Sequence, residues 1–269
     1  MTIVENIGFI GCGNMGFAIM KGILSSDMRK DIKLFAYDKY EPAMEKVMAA
    51  GVIGVGSAAD VVKCCKYVFF AIKPQQLDEV LDEVAGSVTA DKVIVSILAG
   101  VTDEYYAKRT VPNAKVVLVM PNTPFLLGEG ATALSRSDSV TDEEFELVCS
   151  IFSSGGISKV IAKDKMKEII AINGSSPAFI YLYTKYFVDY AKSVGIDEET
   201  ATELFAKSLI GSAKMITDSG KSLDELIEMV SSKGGTTIAG LEKLREGKLS
   251  DAVENCCKAC TNRAYELSK

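Results

Sequence analysis

The stretch that decides the fold of this chain is Ile7-Gly8-Phe9-Ile10-Gly11-Cys12-Gly13-Asn14-Met15-Gly16. A short apolar run that is typical of a β-strand leads into the pattern G-x-G-x-x-G, and a helix-compatible segment follows. This order is the fingerprint of a dinucleotide-binding unit, whereas the glycine pattern alone is a weak signal. Gly11 permits the tight turn, Gly13 lets the backbone approach a pyrophosphate, and Gly16 allows close helix–strand packing. The N–H groups at the helix start, at Asn14 and Met15, are expected to face the phosphates.

A second apolar run at 33–37 ends at Asp38, which follows Gly16 by 22 residues. An acidic residue at about this distance is placed to accept hydrogen bonds from the adenosine ribose. Its charge favours NADH, because it repels the 2′-phosphate of NADPH. Two alternatives remain open: Lys39 and Lys33 could neutralise such a phosphate, or Asp38 could point into solvent.

Composition limits the classes of protein to which the chain can belong. Its 269 residues suffice for one large or two ordinary domains, and a net charge of −6 without Lys/Arg runs argues against a nucleic-acid partner. Residues 1–6 do not resemble a signal peptide, and polar residues interrupt the longest apolar region, 169–187, so no membrane span is expected. Seven cysteines, an odd number, fit reduced thiols in the cytoplasm.

No metal site is expected from the sequence. Cys256, Cys257 and Cys260 would share a helix face, but the chain contains no histidine. Small buried helix residues are the favoured interpretation of these cysteines. Cys12 is interpreted in the same way, with the alternative that a helix N-terminus makes its thiol reactive.

The order of strand and helix signals predicts two domains. Strand-like runs occur at 7–10, 33–37, 67–72, 93–97, 116–120, 131–134 and 157–161. Helix-compatible segments between the first five predict an α/β, Rossmann-type doubly wound sheet. From 164 onward only helical spacing occurs, including a segment at 164–172. We therefore predict a dinucleotide-binding domain at 1–163 and an all-α domain at 164–269. The latter is rich in aromatic residues and should bury the excess against another subunit.

Three further loops follow the carboxyl ends of predicted strands, where ligands bind in open α/β sheets. They are Ala71-Ile72-Lys73-Pro74-Gln75, Ala99-Gly100 and Met120-Pro121-Asn122-Thr123-Pro124. Their small residues and prolines suit close approach of a nicotinamide ribose to the backbone. Lys73 either donates to that ribose or is a solvated loop lysine.

A second glycine-rich segment, Ser231-Ser232-Lys233-Gly234-Gly235-Thr236-Thr237, precedes a predicted helix at 236–246. Such a helix start forms a compact group of backbone donors suited to a small anion, although it could also be a simple helix cap. Together with the cofactor fingerprint, it suggests a carboxylate substrate held beside a nicotinamide. Because histidine is absent, reduction of a protonated cyclic imine is favoured, since its positive charge removes the need for a strong acid.

In these segments, and in Gly174-Ser175-Ser176-Pro177-Ala178, the chain resembles the pyrroline-5-carboxylate reductase family nearly from end to end. The resemblance implies reduction of Δ1-pyrroline-5-carboxylate to L-proline with NAD(P)H, the last step of proline biosynthesis. It implies a substrate carboxylate bound by the backbone at Ser232, Gly234, Gly235 and Thr236, and a ring nitrogen hydrogen-bonded by Thr237 as the catalytic contact. It also implies interleaved homodimers, sometimes assembled into larger rings.

The chain departs from the family pattern at four positions. Lys233 stands where proline is usual, Ser176 where glycine is usual, Phe179 where tyrosine is usual, and Leu118 where arginine is frequent. Lys233 could loosen the substrate loop or add a cation near the carboxylate.

Two other functions remain as alternatives. A β-hydroxyacid dehydrogenase would carry a catalytic lysine at a fixed spacing from a glycine cluster, and Lys185, 11 residues after Gly174, does not match that spacing. A cofactor-sensing protein without turnover would keep the fingerprint alone.

Overall fold

In this computed structural model the described residues are 5–268. The expectation that the chain has no signal peptide was based on residues 1–6, of which 1–4 lie outside the described residues. The described part contains a mixed sheet of eight strands in the order β3-β2-β1-β4-β5-β6-β7-β8. The strands are β1 (Glu5–Ile10), β2 (Ile32–Tyr37), β3 (Ile53–Gly54), β4 (Tyr67–Phe70), β5 (Val93–Ser96), β6 (Lys115–Met120), β7 (Gly130–Arg136) and β8 (Gly156–Val160).

Helices alternate with these strands and then continue alone to the end of the described chain. The helices of the first part are α1 (Asn14–Ser25), α2 (Glu41–Ala49), α3 (Ala58–Cys64), α4 (Leu77–Val84), α5 (Asp103–Arg109) and α6 (Asp142–Ser153). The later helices are α7 (Ser176–Ser193), α8 (Glu198–Asp218), α9 (Leu223–Met229), α10 (Thr236–Glu246) and α11 (Leu249–Glu266). The predicted Rossmann-type sheet followed by a helical region is confirmed.

The direction of β7 is the main departure from a purely parallel sheet. All neighbouring strands pair in parallel except β6 and β7, whose register joins Met120 to Ala133 in antiparallel fashion. The connection between them spans only residues 121–129, which is too short for a parallel crossover. The sequence indicated that this strand extends the sheet, but its direction follows from the loop length.

Both faces of the sheet are covered, as the near-continuous apolar strands require. On one face, Phe9 and Phe69 stack with centroids 4.5 Å apart within a cluster that includes side chains of α1 and α6. On the other face, Phe70 meets the fully buried Tyr106 of α5 edge to face at 5.4 Å. The two clusters fix the carboxyl ends of the central strands, where the fingerprint turn lies.

Two elements differ from the expected pattern. The two-residue strand β3 is too short to show an alternating pattern, and it was not predicted. The helix expected at 164–172 is wrong: the chain forms a 3₁₀ turn at Lys163–Lys165 and a π-helical segment at Ile170–Gly174. The Asn173 side chain explains the wider turn, because its Nδ2 donates to Met120 O at 2.7 Å and Ala131 O at 3.1 Å.

The described chain divides into two compact units that do not separate at 163. One unit runs to Pro177 and resumes at Cys260, and the other is Ala178–Ala259. The last strand ends at Val160, so strands do give way to helices near 163. The domain boundary at 163/164 stays a prediction. Within 5–268, no helix is both long enough and apolar enough to cross a bilayer.

Candidate active site

The fingerprint turn joins β1 to α1 through Gly11, Cys12 and Gly13. Gly11 has φ +101°, and a Cβ built there would lie 2.5 Å from the carbonyl oxygen of Ala71. A Cβ at Gly16 would lie 2.6 Å from the carbonyl oxygen of Gly11. Neither position has room for a side chain, because the backbone of the β4–α4 loop and the first turn of α1 pack directly on the turn.

Gly13 lies in a different environment, although it belongs to the same pattern. Its φ is −64°, it is exposed, and a Cβ built there would meet nothing within 4 Å in the described structure. It is the N-cap residue of α1, where no side chain of the described residues caps the helix and the first turn has no acidic residue. The first N–H groups of α1 therefore remain available to an anion, and this helix start fits the pyrophosphate of a dinucleotide.

A cavity of about 350 Å³ opens next to this helix start. Nine of the predicted cofactor residues line it: Gly11, Gly13, Asn14, Met15, Asp38, Lys39, Ala71, Ile72 and Lys73. The structure therefore gathers the fingerprint, the end of β2 and the loop after β4 around one space. That these residues bind a cofactor stays a prediction.

Asp38 is held firmly at the end of β2. Its Oδ2 accepts a hydrogen bond from the Cys12 N–H at 2.7 Å, and its Oδ1 accepts from the Tyr40 N–H at 2.8 Å. Each carboxylate oxygen keeps a further lone pair for a ligand hydroxyl. Asp38 is half-buried and lines the cavity, so the alternative in which it simply points into solvent is not supported.

Cys12 is buried beside Asp38, and this decides the state of its thiol. Burial, with the charge of Asp38 as a second cause, raises the pKa of Cys12 to about 12. Burial and the charge of Asp38 both disfavour the thiolate, which argues against the alternative of a reactive thiol. Cys12 is a small packing residue whose Sγ contacts Met44 Sδ at 3.7 Å.

The two lysines near Asp38 in the sequence lie in different places. Lys39 lines the cavity and pairs with Glu79 of α4, with Nζ and Oε1 2.5 Å apart. Lys33 lies at the amino end of β2 and borders a separate depression with Arg29 and Gly51. Since the cofactor fingerprint is at the carboxyl ends of the strands, Lys33 is not a candidate for phosphate binding.

Sequence reasoning missed one wall of the cavity. This wall is formed mainly by Gln76 and by Val80, Glu79 and Glu83 of α4. The strong amphipathic pattern Leu-Asp-Glu-Val-Leu-Asp-Glu-Val predicts the helix, but it does not show which loop the acidic face meets. The Lys39–Glu79 pair joins residues 40 positions apart and has no signal in the sequence.

The other predicted cofactor residues do not border this cavity. Gly16 packs behind the turn, Pro74 begins a 3₁₀ turn after Lys73, and Ala99 and Gly100 follow β5. Gly100 lines a second cavity of about 340 Å³. After β6 come Pro121 and Asn122, and the Asn122 Oδ1 accepts from the Ala131 N–H at 2.9 Å, which ties this loop to β7.

The second glycine-rich segment lies in the helical unit, at the start of α10. Gly234 has φ +73°, the Gly235 N–H donates to Ser232 O at 2.9 Å, and α10 begins at Thr236. Among the described residues no side chain caps α10, and the hydroxyls of Thr236 and Thr237 are not hydrogen-bonded. Ser232, Lys233, Gly234, Thr236 and Thr237 are exposed. The segment is therefore an open group of backbone donors with two free hydroxyls.

Comparison with known proteins decides the family. The chain is 34% identical to pyrroline-5-carboxylate reductase of Escherichia coli (strain K12), over 98% of this chain and 99% of that protein. The chain belongs to the pyrroline-5-carboxylate reductase family. A relative of the same name from Methanosarcina acetivorans is 32% identical over 98% of both chains.

Two family models and two solved structures agree with this assignment. Residues 163–267 match a model described as pyrroline-5-carboxylate reductase dimerisation, and residues 6–100 match one described as NADP oxidoreductase, coenzyme F420-dependent. The crystal structure of Plasmodium falciparum pyrroline carboxylate reductase with NADP bound has a TM-score of 0.88 at 25% identity, with both chains fully covered. The reductase from Coxiella burnetii has a TM-score of 0.88 at 29% identity, with 99% of both chains covered.

Proposed function

We propose that this chain reduces Δ1-pyrroline-5-carboxylate to L-proline with NAD(P)H, the last step of proline biosynthesis. The observation that carries the proposal is the open, glycine-rich start of α10, where no side chain caps the helix and the Thr237 hydroxyl is not hydrogen-bonded within the described residues. In a member of this reductase family, such a helix start suits a small carboxylate substrate.

The cofactor is proposed to bind along the fingerprint cavity. The N–H groups after Gly13 bind the pyrophosphate, Asp38 accepts from the adenosine ribose, and Ala71, Ile72 and Lys73 border the path toward the sheet edge. We also assign Pro74, Ala99, Gly100, Pro121 and Asn122 to this site, because their loops follow the carboxyl ends of β4, β5 and β6. The bound reduced nicotinamide supplies a hydride to the substrate.

The protein's own part in the reaction is orientation. The backbone at Ser232, Gly234, Gly235 and Thr236 holds the carboxylate, and Thr237 hydrogen-bonds the ring nitrogen. Addition of a hydride, a hydrogen with two electrons, forms a C–H bond at the carbon of the protonated C=N group. The electron pair of the π bond then passes to a nitrogen that already carries its proton. A strong acid is therefore not required, which agrees with a chain that has no histidine.

A homodimer is the proposed assembly. In the helical unit many large apolar side chains are exposed, including Leu204, Tyr181 and Val230, each more than 60% accessible. A single subunit rarely leaves so much apolar surface in water, so a second copy should cover it.

The proposed location is the cytoplasm, because the seven cysteines are all free, as is typical of a reducing compartment. The net charge of −6 does not favour binding to nucleic acid.

The test measures turnover of the cofactor with pyrroline-5-carboxylate, turnover with small 3-hydroxy acids, and binding of the cofactor alone. The proposal expects rapid oxidation of NADH or NADPH that depends on pyrroline-5-carboxylate, with proline as product. Oxidation of small 3-hydroxy acids with NAD⁺ or NADP⁺, without imine reduction, would instead support the β-hydroxyacid dehydrogenase alternative. Tight cofactor binding with no turnover of either substrate would support a cofactor-sensing protein.

A further inference from the structure

The lining of the cofactor cavity carries more negative than positive charge. Asp38, Glu79 and Glu83 line the cavity together with two lysines, Lys39 and Lys73. Glu79 and Glu83 lie four residues apart and so share one face of α4. Their carboxylates have different partners, and this difference determines which of them can act on a ligand.

Glu83 has a structural partner at the start of α3. Its Oε1 accepts hydrogen bonds from the Ala58 N–H at 2.9 Å and the Ala59 N–H at 3.4 Å. Glu79, by contrast, accepts from a side chain, the ammonium group of Lys39, with the two atoms 2.5 Å apart. The hydrogen bond to Glu79 is the main cause of a raised pKa at Lys39, so this ammonium group is charged and already paired.

This pairing bears on the difference between NADH and NADPH, which is a phosphate on the 2′-oxygen of the adenosine ribose. Lys39 directly follows Asp38, the residue placed to meet that ribose, and it is the cation nearest to it in the sequence. A 2′-phosphate would have to compete with Glu79 for Lys39 while it approached the charge of Asp38. Lys33 cannot help, because it lies at the opposite end of β2.

We propose that Glu79 is a specificity-determining residue that makes the protein favour NADH, because it occupies Lys39 and adds a second negative charge beside Asp38. The proposal rests on the proposed function, since it assigns the fingerprint cavity to a nicotinamide cofactor. Asp38 repels the phosphate from its position beside the ribose, and Glu79 occupies Lys39, the cation that directly follows Asp38.

The expected effect follows from two exposed charge interactions. Glu79→Gln frees Lys39 to pair with the phosphate and removes one repulsion, and each such interaction changes a binding constant by up to about fivefold. We expect the ratio of NADPH to NADH affinity to rise by about tenfold. The gain should shrink at high ionic strength, because exposed charges are screened.

The experiment measures dissociation constants of NADH and NADPH by fluorescence titration, and of adenosine 5′-phosphate and adenosine 2′,5′-bisphosphate by calorimetry. These two fragments differ only in the 2′-phosphate and require no turnover. Asp82→Asn is the matched control, because it removes the same charge from α4 while Asp82 pairs with Arg109 and does not line the cavity. The double variant Glu79→Gln/Lys39→Met should lose the gain seen in Glu79→Gln.

Three results would overturn the proposal. These are a wild-type protein that binds NADPH more tightly than NADH, a Glu79→Gln variant whose ratio equals that of Asp82→Asn, and a double variant that keeps the whole gain. Failure of the proposed function looks different: both nucleotides would bind with the expected preference, but pyrroline-5-carboxylate would not be reduced.

Discussion

Gly13→Ala should weaken cofactor binding while it leaves folding almost unchanged. The structure leaves open space for a Cβ at residue 13, whereas backbone atoms fill that space at Gly11. Gly13 has an ordinary φ of −64° and open space where a Cβ would stand. Alanine is a poorer N-cap than glycine by up to about 1 kcal/mol, and the lower entropy of the unfolded chain offsets about 0.4–1 kcal/mol. The free energy of unfolding of the cofactor-free protein should therefore change by less than about 1 kcal/mol.

Cofactor affinity should fall far more in the same variant. A methyl group at residue 13 would stand where a pyrophosphate approaches the backbone, and it would weaken one or two charge-assisted hydrogen bonds. Each is worth about 1.5–3 kcal/mol, so the dissociation constant should rise by roughly 10- to 1000-fold.

Gly11→Ala is the matched comparison, because it should act through the fold. The positive φ of +101° and a Cβ 2.5 Å from the Ala71 carbonyl oxygen should together destabilise the protein by about 2–5 kcal/mol. Denaturant unfolding without cofactor and fluorescence titration with NADH would measure both variants. A folded Gly13→Ala protein with unchanged cofactor affinity would refute the assignment of this helix start to the pyrophosphate.

Three further predictions concern the substrate contact, the stability and the assembly. Thr237→Val keeps the branched shape but removes the hydroxyl, so kcat/KM for the imine should fall by roughly 10- to 1000-fold; a folded variant with unchanged kinetics would remove Thr237 from the mechanism. Glu144→Gln should destabilise the fold by about 2–4 kcal/mol in denaturant unfolding, because the buried carboxylate pairs with Lys115 at 2.8 Å and caps α6 through Thr141. Burial pushes the pKa of Glu144 up, but Lys115, the Thr141 N–H and Lys66 outweigh it and hold that pKa below its usual value. The stabilisation of the fold by Glu144 should thus be complete above pH 4.5, the pKa of the unfolded chain, and be lost as pH falls below it. A Glu144→Gln variant whose free energy of unfolding keeps the wild-type pH dependence would contradict the reasoning. Light scattering should give at least a dimer, and a stable, fully active monomer would contradict the proposed assembly.

Local patterns in the sequence predicted most of the fold because they are strong. The run before Gly11 and the glycines after it predicted β1, the turn and α1. The π-helical segment at Ile170–Gly174 was missed because it depends on Asn173 bonding to carbonyl groups about 40 and 50 residues away.

The candidate site was predictable where its residues follow strand ends, and was not predictable where helices complete it. Asp38 lies beside the fingerprint because β1 and β2 pair in parallel, with Ile10 opposite Tyr37. Glu79 reaches the same cavity from α4, and nothing in its local sequence distinguishes it from Asp82, which pairs elsewhere. Lys33 and Lys39 looked equivalent in the sequence, yet a strand length separates them in the structure.

The most direct test of the central claim is product analysis with the purified protein. Pyrroline-5-carboxylate and NADH, and in parallel NADPH, would be incubated with the wild type and with Thr237→Val, and L-proline would be measured by chiral amino-acid analysis. We expect one L-proline for each cofactor oxidised by the wild type, and a rate at least about tenfold lower in the variant. No proline from the wild-type protein with either cofactor, despite tight cofactor binding, would contradict the central claim.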